Sequence, residues 1–283
     1  SLAGLLGRLF SRRKPSRQVL LHAHMFKNAG TTFDWSLARS FGAGFIDHRD
    51  DEAMRRGADY LGPYLEEHND LRALSSHWVT PPLPVVEGVE LHLVLFLRDP
   101  IERVRSVYNF ERRQEPADTP GSKKAKELNF LDYVRWQLQP MPGPVVKNFH
   151  TRYCSGDYLG EDLDALYERA VATVKSTPLV GLVHRYDESM VLFEYHLRGA
   201  FPELDLSYRP QNVSRGDSIS LAERRQSVER ELAPVLEELC AANLYDLRLH
   251  EVAETRFEQA LSQVPDVPAR LADLRTRNEQ LAA

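Results

Sequence analysis

The sequence predicts an α/β fold built on a central parallel sheet, and three observations predict it. Short apolar segments at 18–24, 91–97 and 179–183 alternate with segments of helical length through the first two-thirds of the chain. The best of them, LHLVLFL at 91–97, is apolar almost throughout, as a strand covered on both faces requires. From Leu221 onwards the chain reads as helix, with breaks at Val264-Pro265 and Pro268, so a helical C-terminal region follows the sheet. Alternating strand and helix implies parallel strands joined by crossover helices in three layers. Ligands then bind at the carboxyl ends of the strands.

The elements follow in order. Residues 18–24 form a buried strand that runs into a Gly-containing turn. A helix over 31–40 stops near Gly42 and Gly44. Residues 51–74 are mostly helical, broken at Gly62-Pro63, and a short strand over 74–80 ends at Pro81-Pro82. After strand 91–97, Asp99 suits an N-cap and Pro100 the first helical position, so a helix runs over 100–113. Residues 115–126 read as a polar loop. Helices follow near 128–138, 144–153 and 161–176. In the last, Leu163, Leu166, Ala170, Val171 and Val174 share one face. A strand at 179–183, a helix at 186–198 and a polar loop at 205–219 precede the C-terminal helices.

The chain of 283 residues has 36 Lys and Arg against 41 Asp and Glu, a net charge of -5. A general nucleic-acid binder needs excess positive charge to neutralise phosphates, so that class is excluded as an expectation. Cys154 and Cys240 allow one disulfide or two free thiols, and are too few for a cysteine-rich zinc site. No apolar run reaches the roughly 20 residues of a membrane span, so no transmembrane segment is expected. Residues 1–14 place an apolar stretch before a basic one, the reverse of a secretory signal, and read as a local helix or frayed terminus. The expected division is an N-terminal segment 1–17, a main domain 18–257 and a helical extension 258–283.

Two places on the strand ends carry chemistry. Strand 18–24 runs into Met25-Phe26-Lys27-Asn28-Ala29-Gly30-Thr31-Thr32. Free backbone N–H groups at the following helix start converge on one spot, and the helix dipole favours an anion there. Lys27 adds a full charge and the two threonines add hydroxyl donors, which together make a phosphate or sulfate cradle. The order differs from GxxxxGK[ST], because Lys precedes Gly and the first Gly is missing. Arg98 closes strand 91–97 and Ser106 lies in the next helix, a second place where a guanidinium fork and a hydroxyl meet an oxyanion. A plain Arg–Glu pair is the competing explanation of Arg98.

Together these motifs resemble carbohydrate sulfotransferases of the heparan 2-O, 6-O and chondroitin type, which use 3′-phosphoadenylyl sulfate (PAPS). The first family motif, approximately His-x-Pro-Lys-[Thr/Ser]-Ala-Gly-Thr-Thr, stands here as His24-Met25-Phe26-Lys27-Asn28-Ala29-Gly30-Thr31-Thr32. The second is an apolar strand, Arg98-Asp99-Pro100, then Arg103, Ser106 and Tyr108. Asn148-Phe149-His150-Thr151-Arg152, the stretch from Val180 to Ser189 and Asp246-Leu247-Arg248-Leu249 resemble later family segments in the same order. Phe26, Asn28, His150 and His184 depart from the pattern, where Pro, Thr or Ser, Gln and Glu are usual.

The resemblance implies a P-loop-like three-layer fold and transfer of a sulfuryl group from PAPS to a hydroxyl-bearing acceptor, a saccharide in that family, leaving 3′,5′-adenosine bisphosphate (PAP). It implies that Lys27, Asn28, Ala29, Gly30, Thr31 and Thr32 hold the 5′-phosphosulfate, with Lys27 also stabilising the leaving oxygen. Arg98 and Ser106 would hold the 3′-phosphate, and Arg215 would act from a lid over PAPS. No metal is expected, since no carboxylate stands at metal-ligand spacing beside the histidines. A neutral His suits the base that the acceptor hydroxyl needs. His77, between the two PAPS motifs, is the expected base, with His22 and His24 as rivals. Arg112, Arg113, Lys123, Lys124 and Lys126 flank the 115–126 loop. They read as a solvated surface, with a groove for an acidic glycan as the other reading. Asn212-Val213-Ser214 is a glycosylation sequon that has meaning only on a secretory route. The expected location is cytoplasmic, with the lumenal domain of a trimmed Golgi membrane protein as the alternative, and the C-terminal helices offer a surface for self-association. The alternative functions are another P-loop-like nucleotide enzyme, a kinase or triphosphatase, and an inactive PAP-binding protein.

Overall fold

Residues Arg17–Ala23 form β1, the middle strand of a five-stranded, all-parallel sheet in the computed structural model, which describes residues 17–209 and 220–283. The other strands are β2 (Phe45–Asp47), β3 (Ala73–Ser76), β4 (Val89–Leu97) and β5 (Leu179–Leu182), and the order across the sheet is β2-β3-β1-β4-β5. β1 lies between β3 and β4, in register His22 with Ser75 and with Val94, and Ala23 with Ser76 and with Leu95. His24 and His77 therefore leave the carboxyl edge side by side.

The first crossover carries α1 (Gly30–Phe41) from β1 out to the β2 edge. Chain order then reverses: β3 to β4 and β4 to β5 both run towards the other edge. Right-handed crossovers in opposite directions place their helices on opposite faces. The β3–β4 connection follows α2 (Asp51–Met54) and α3 (Ala58–Glu67), which precede β3. The β4–β5 connection contains α4 (Pro100–Arg113), α5 (Pro120–Glu127), α6 (Phe130–Gln137), α7 (Phe149–Ser155) and α8 (Leu163–Ser176). After β5 come α9 (Tyr186–Leu197), α10 (Leu221–Glu231), α11 (Leu236–Ala242), α12 (Leu244–Ser262) and α13 (Val267–Ala282). Helices thus flank the parallel sheet. On the α1 side, Phe33, Phe96 and Phe193 meet edge to face, locking α1 and α9 to β4. Ile101, Val104, Tyr133, Val228 and Leu239 form a second apolar cluster among α4, α6, α10 and α11.

α4 has the predicted bounds, because Asp99 accepts from the N–H groups of Ile101 and Glu102 and Pro100 opens the first turn. Four expectations need correction. Helix α3 runs through Gly62-Pro63 without a break; Pro63 and Asp59 are both exposed, so the carbonyl that loses its N–H partner faces water. The interruption falls instead at Gly57, where φ is 72°. The 115–126 stretch is not all loop: Thr119 and Ser122 form a capping box and Pro120 begins α5. The 257/258 boundary falls inside α12, and Leu261, Val264 and Leu274 join the main core, so the C-terminal helices belong to the domain. Arg277 of α13 ties this region to Glu194 and Asp205. Pro268 starts α13 rather than ending a helix.

No helix among the described residues is long and apolar enough to cross a membrane. The expectations for 1–16, the sequon and Arg215 lie outside the described residues.

Candidate functional site

The loop from His24 to Ala29 carries two non-glycine residues in the left-handed region, Lys27 at φ 63° and Ala29 at φ 61°. Each such residue costs about 1–2 kcal/mol, and strained backbone of this kind concentrates at functional sites. Ala29 is the N-cap of α1, and no side chain caps the helix. The first helical N–H groups have no intrahelical partner by construction. Thr31 is exposed and Thr32 half-buried at this opening. The twelve-residue helix starts uncapped beside a lysine, an arrangement whose free N–H groups and dipole favour an anion.

The surroundings are cationic. Burial, followed by Arg98, Arg113 and Arg103, pushes the Lys27 ammonium below its ordinary value, and its Nζ lies 5.1 Å from the Phe110 ring centre. Arg103 is 2% exposed. It donates from Nε to the Phe26 carbonyl (3.0 Å) and from Nη1 to the Val145 carbonyl (2.7 Å) and stacks on Phe149 at 4.1 Å. Its Nη2 is buried without a hydrogen-bond partner, and burial lowers the guanidinium to about 10.

Arg98 is not free. It forms a bidentate pair with Glu102 (both contacts 2.7 Å) and donates 2.7 Å to the Lys27 carbonyl. It therefore braces the loop, and an incoming anion must share the guanidinium with Glu102, which also receives Arg224. Ser106 is half-buried on the α4 face that carries Glu102 and Phe110, one turn from each, and that face meets the loop.

Asn28 turns inward. It is 2% exposed, donates to the Phe96 carbonyl at 2.8 Å and lies 2.8 Å from His150 Nε2, while its N–H donates to the Met25 carbonyl. Asn28 thus supports the cradle from below, which corrects its expected place among the groups facing the anion. His150 sits on α7, whose N–H groups at His150 and Thr151 donate to Asp246 at 2.9 and 2.7 Å. The 148–152 and 246–249 segments, separate in sequence, are one structural unit. His184 follows β5, with Nδ1 buried and without a hydrogen-bond partner and its ring 5.7 Å from His250.

Three histidines gather at the end of β1. Asp34 of α1 accepts from His22 Nδ1 (2.7 Å) and His24 Nδ1 (2.8 Å). Burial would raise Asp34, but His22 and His24 outweigh it and hold the carboxyl well below its usual range. The expectation that no carboxylate accompanies these histidines is corrected, because Asp34 arrives from the second turn of the next helix. All three groups are buried and the shared carboxylate is spent on the Nδ1 atoms. His24 Nε2 has no hydrogen-bond partner among the described residues and lies over Gly30, where an added Cβ would be 2.2 Å away.

His77 meets His24 edge to face at 4.8 Å. Its Nδ1 donates to the His24 carbonyl (3.0 Å) and its Nε2 faces Arg49. Burial, then Arg49, lowers its pKa, so it is neutral at pH 7. A pocket of about 240 Å³ opens beside it, lined by Phe26, Asp51, Arg55, Trp78, Phe149 and Tyr158 among others. No sequence signal pointed to this pocket, because its walls come from four separated stretches of chain, at 26, 51–55, 77–78 and 145–158.

The predicted lysines of the 115–126 flank lie at the surface. Lys124 pairs with Glu127 and Lys126 with Glu115. Cys154 and Cys240 are free thiols, the first buried.

No family model matches the chain. A protein of Archaeoglobus fulgidus, described as uncharacterized, is 30% identical over 231 residues, covering 77% of this chain and 88% of the relative. At that identity and coverage the two share one fold and one ancestry, and the chain belongs to the same protein family as this archaeal relative.

Proposed function

We propose that the protein is a PAPS-dependent sulfotransferase that moves a sulfuryl group from PAPS to a hydroxyl acceptor, for which the sequence resemblance implies a saccharide. The observation that carries this reading is the uncapped start of α1 beside Lys27, with Arg98 and the unpartnered Nη2 of Arg103 behind it. PAPS supplies an activated sulfuryl group on a 5′-phosphate and a distinguishing 3′-phosphate. The N–H groups of Gly30, Thr31 and Thr32, with Lys27, suit the first anion; Arg98 and Ser106 suit the second. Catalysis then rests on positioning and on fixed positive charge, as in phosphoryl transfer.

His77 is the proton acceptor in this reading. It is neutral and lines the pocket, and its Nε2 opens when the half-exposed Arg49 swings to solvent. One observation favours His24 instead: Asp34 fixes its Nδ1, and its Nε2 is already open beside the cradle. Paired variants decide between them. Loss of a general base lowers kcat by roughly 10²–10⁴. That loss in His77→Asn, with a smaller one in His24→Asn, supports the first assignment, and the reverse order supports the second. The function itself is tested by transfer from radiolabelled PAPS to a panel of hydroxyl acceptors. Magnesium-dependent ATP turnover in place of sulfuryl transfer would sink the proposal.

A further inference from the structure

We propose that the pocket beside His77 is the acceptor site and that it takes one neutral, planar ring bearing a hydroxyl, a phenol, rather than an acidic polysaccharide. The proposal rests on the sulfotransferase reading above. Its grounds are the walls. Phe26, Trp78, Phe149 and Tyr158 present ring faces and edges, with Trp78 and Tyr158 edge to face at 5.1 Å and Trp78 and Tyr153 stacked at 6.1 Å. Aromatic side chains pack best against another ring in offset or edge-to-face contact.

The size agrees. An apolar cavity of about 150 Å³ holds benzene, so about 240 Å³ holds a substituted ring and little more. The polar groups are few. The Tyr153 hydroxyl already accepts from the Val79 N–H, and Arg55 lies over the Trp78 ring at 4.6 Å. A sugar ring carries hydroxyls on all sides, and most would be buried here unpaired, at about 1–3 kcal/mol each. One oxygen of Asp51 is buried without a hydrogen-bond partner. Asp51 lines the pocket near enough to His77 to raise its pKa. Its negative charge repels a polyanion. In the basic groove, the other reading of the 115–126 flank, Lys124 and Lys126 are paired with Glu127 and Glu115.

In the transfer, the phenol oxygen forms the new O–S bond while the bond from sulfur to the bridging phosphate oxygen of PAPS breaks. The phenolic proton passes to the histidine, and the electron pair of the broken bond leaves with PAP.

Calorimetric titration of the full chain with 2-naphthol tests the pocket without PAPS, and radiolabelled PAPS tests transfer. Saturable 2-naphthol binding is expected, weakened at least 10-fold by Trp78→Ala and by Tyr158→Ala, which guards against a variant that fails to fold. The rise in Tm caused by PAP stays unchanged in both variants. Sulfation of 2-naphthol in preference to methyl glucoside and to desulfated heparan or chondroitin supports the proposal. Absence of naphthol binding, or preferred transfer to either glycan class, overturns it. PAP binding without naphthol binding rejects the pocket and keeps the cofactor reading. Naphthol binding lost in both variants, with no PAP binding, keeps the ring site and rejects the cofactor.

Discussion

Replacing Asp34 with Asn probes the histidine group at its centre. The carboxylate accepts from His22 and His24 at 2.7 and 2.8 Å in a buried setting. Hydrogen bonds to a charged partner contribute about 1.5–3 kcal/mol each, and neutral ones about 0.5–1.5. Asn offers one acceptor oxygen, so one histidine keeps a neutral bond and the other must switch tautomer to accept from the amide. The difference over two bonds is about 2 kcal/mol, a fall in Tm of about 5 °C for a chain of this size. Thermal unfolding at pH 7 reads it directly. The sign with pH follows from the depressed folded pKa. Asp34 stabilises fully above the ordinary aspartate value of 3.8 and loses that contribution as pH falls below it. The switched tautomer also converts Nε2 of the affected histidine from acceptor to donor, so a base at His24 loses rate as well. A Tm within 1 °C of the parent at pH 7, on the order of the noise of a small surface change, would refute the claim that this carboxylate holds both rings.

Gly30→Ala is expected to destabilise by about 1–3 kcal/mol, because the new Cβ would lie 2.1 Å from His24 Cδ2 and the ring is pinned by Asp34; a neutral effect in denaturant titration would show that the ring moves freely. Arg49→Ala removes one of the influences that lower the His77 pKa, so the acid limb of the pH–rate profile moves to higher pH. An unmoved limb would remove His77 as the base. Asp246→Ala leaves the buried N–H groups of His150 and Thr151 unpaired and is expected to cost about 3 kcal/mol. Chemical denaturation measures it, and a cost under about 0.5 kcal/mol would mean that water or another group replaces the carboxylate.

What the sequence made legible was local. Mostly apolar runs marked β1, β4 and β5, and Asp99-Pro100 marked the start of α4, because a cap and a fixed φ act within the first turn. The cradle was legible for the same reason, as a strand, a Gly and a helix start lie within one short segment. The three-residue β2 carries too few side chains to show a period. α5 was hidden because its polar composition looks like loop, and only the Thr119–Ser122 box betrays it. Pairings across space were the real loss. Asp34 stands ten residues from His24, and only the close packing of α1 on β1 brings them together. The same holds for Asp246 beneath α7, whereas an Arg–Glu pair was already the competing reading of Arg98, and Glu102 is the partner it finds.

The most direct measurement of the central claim is the Tm of the full chain with and without PAP. At a PAP concentration 100 times its Kd the expected stabilisation is about 2.7 kcal/mol, a rise of about 5–10 °C. Lys27→Ala should abolish most of that rise while leaving the Tm without ligand nearly unchanged, since Lys27 donates to no group of the chain among the described residues. No rise with millimolar PAP, or an equal rise in Lys27→Ala, would contradict the assignment of the start of α1 as the donor site.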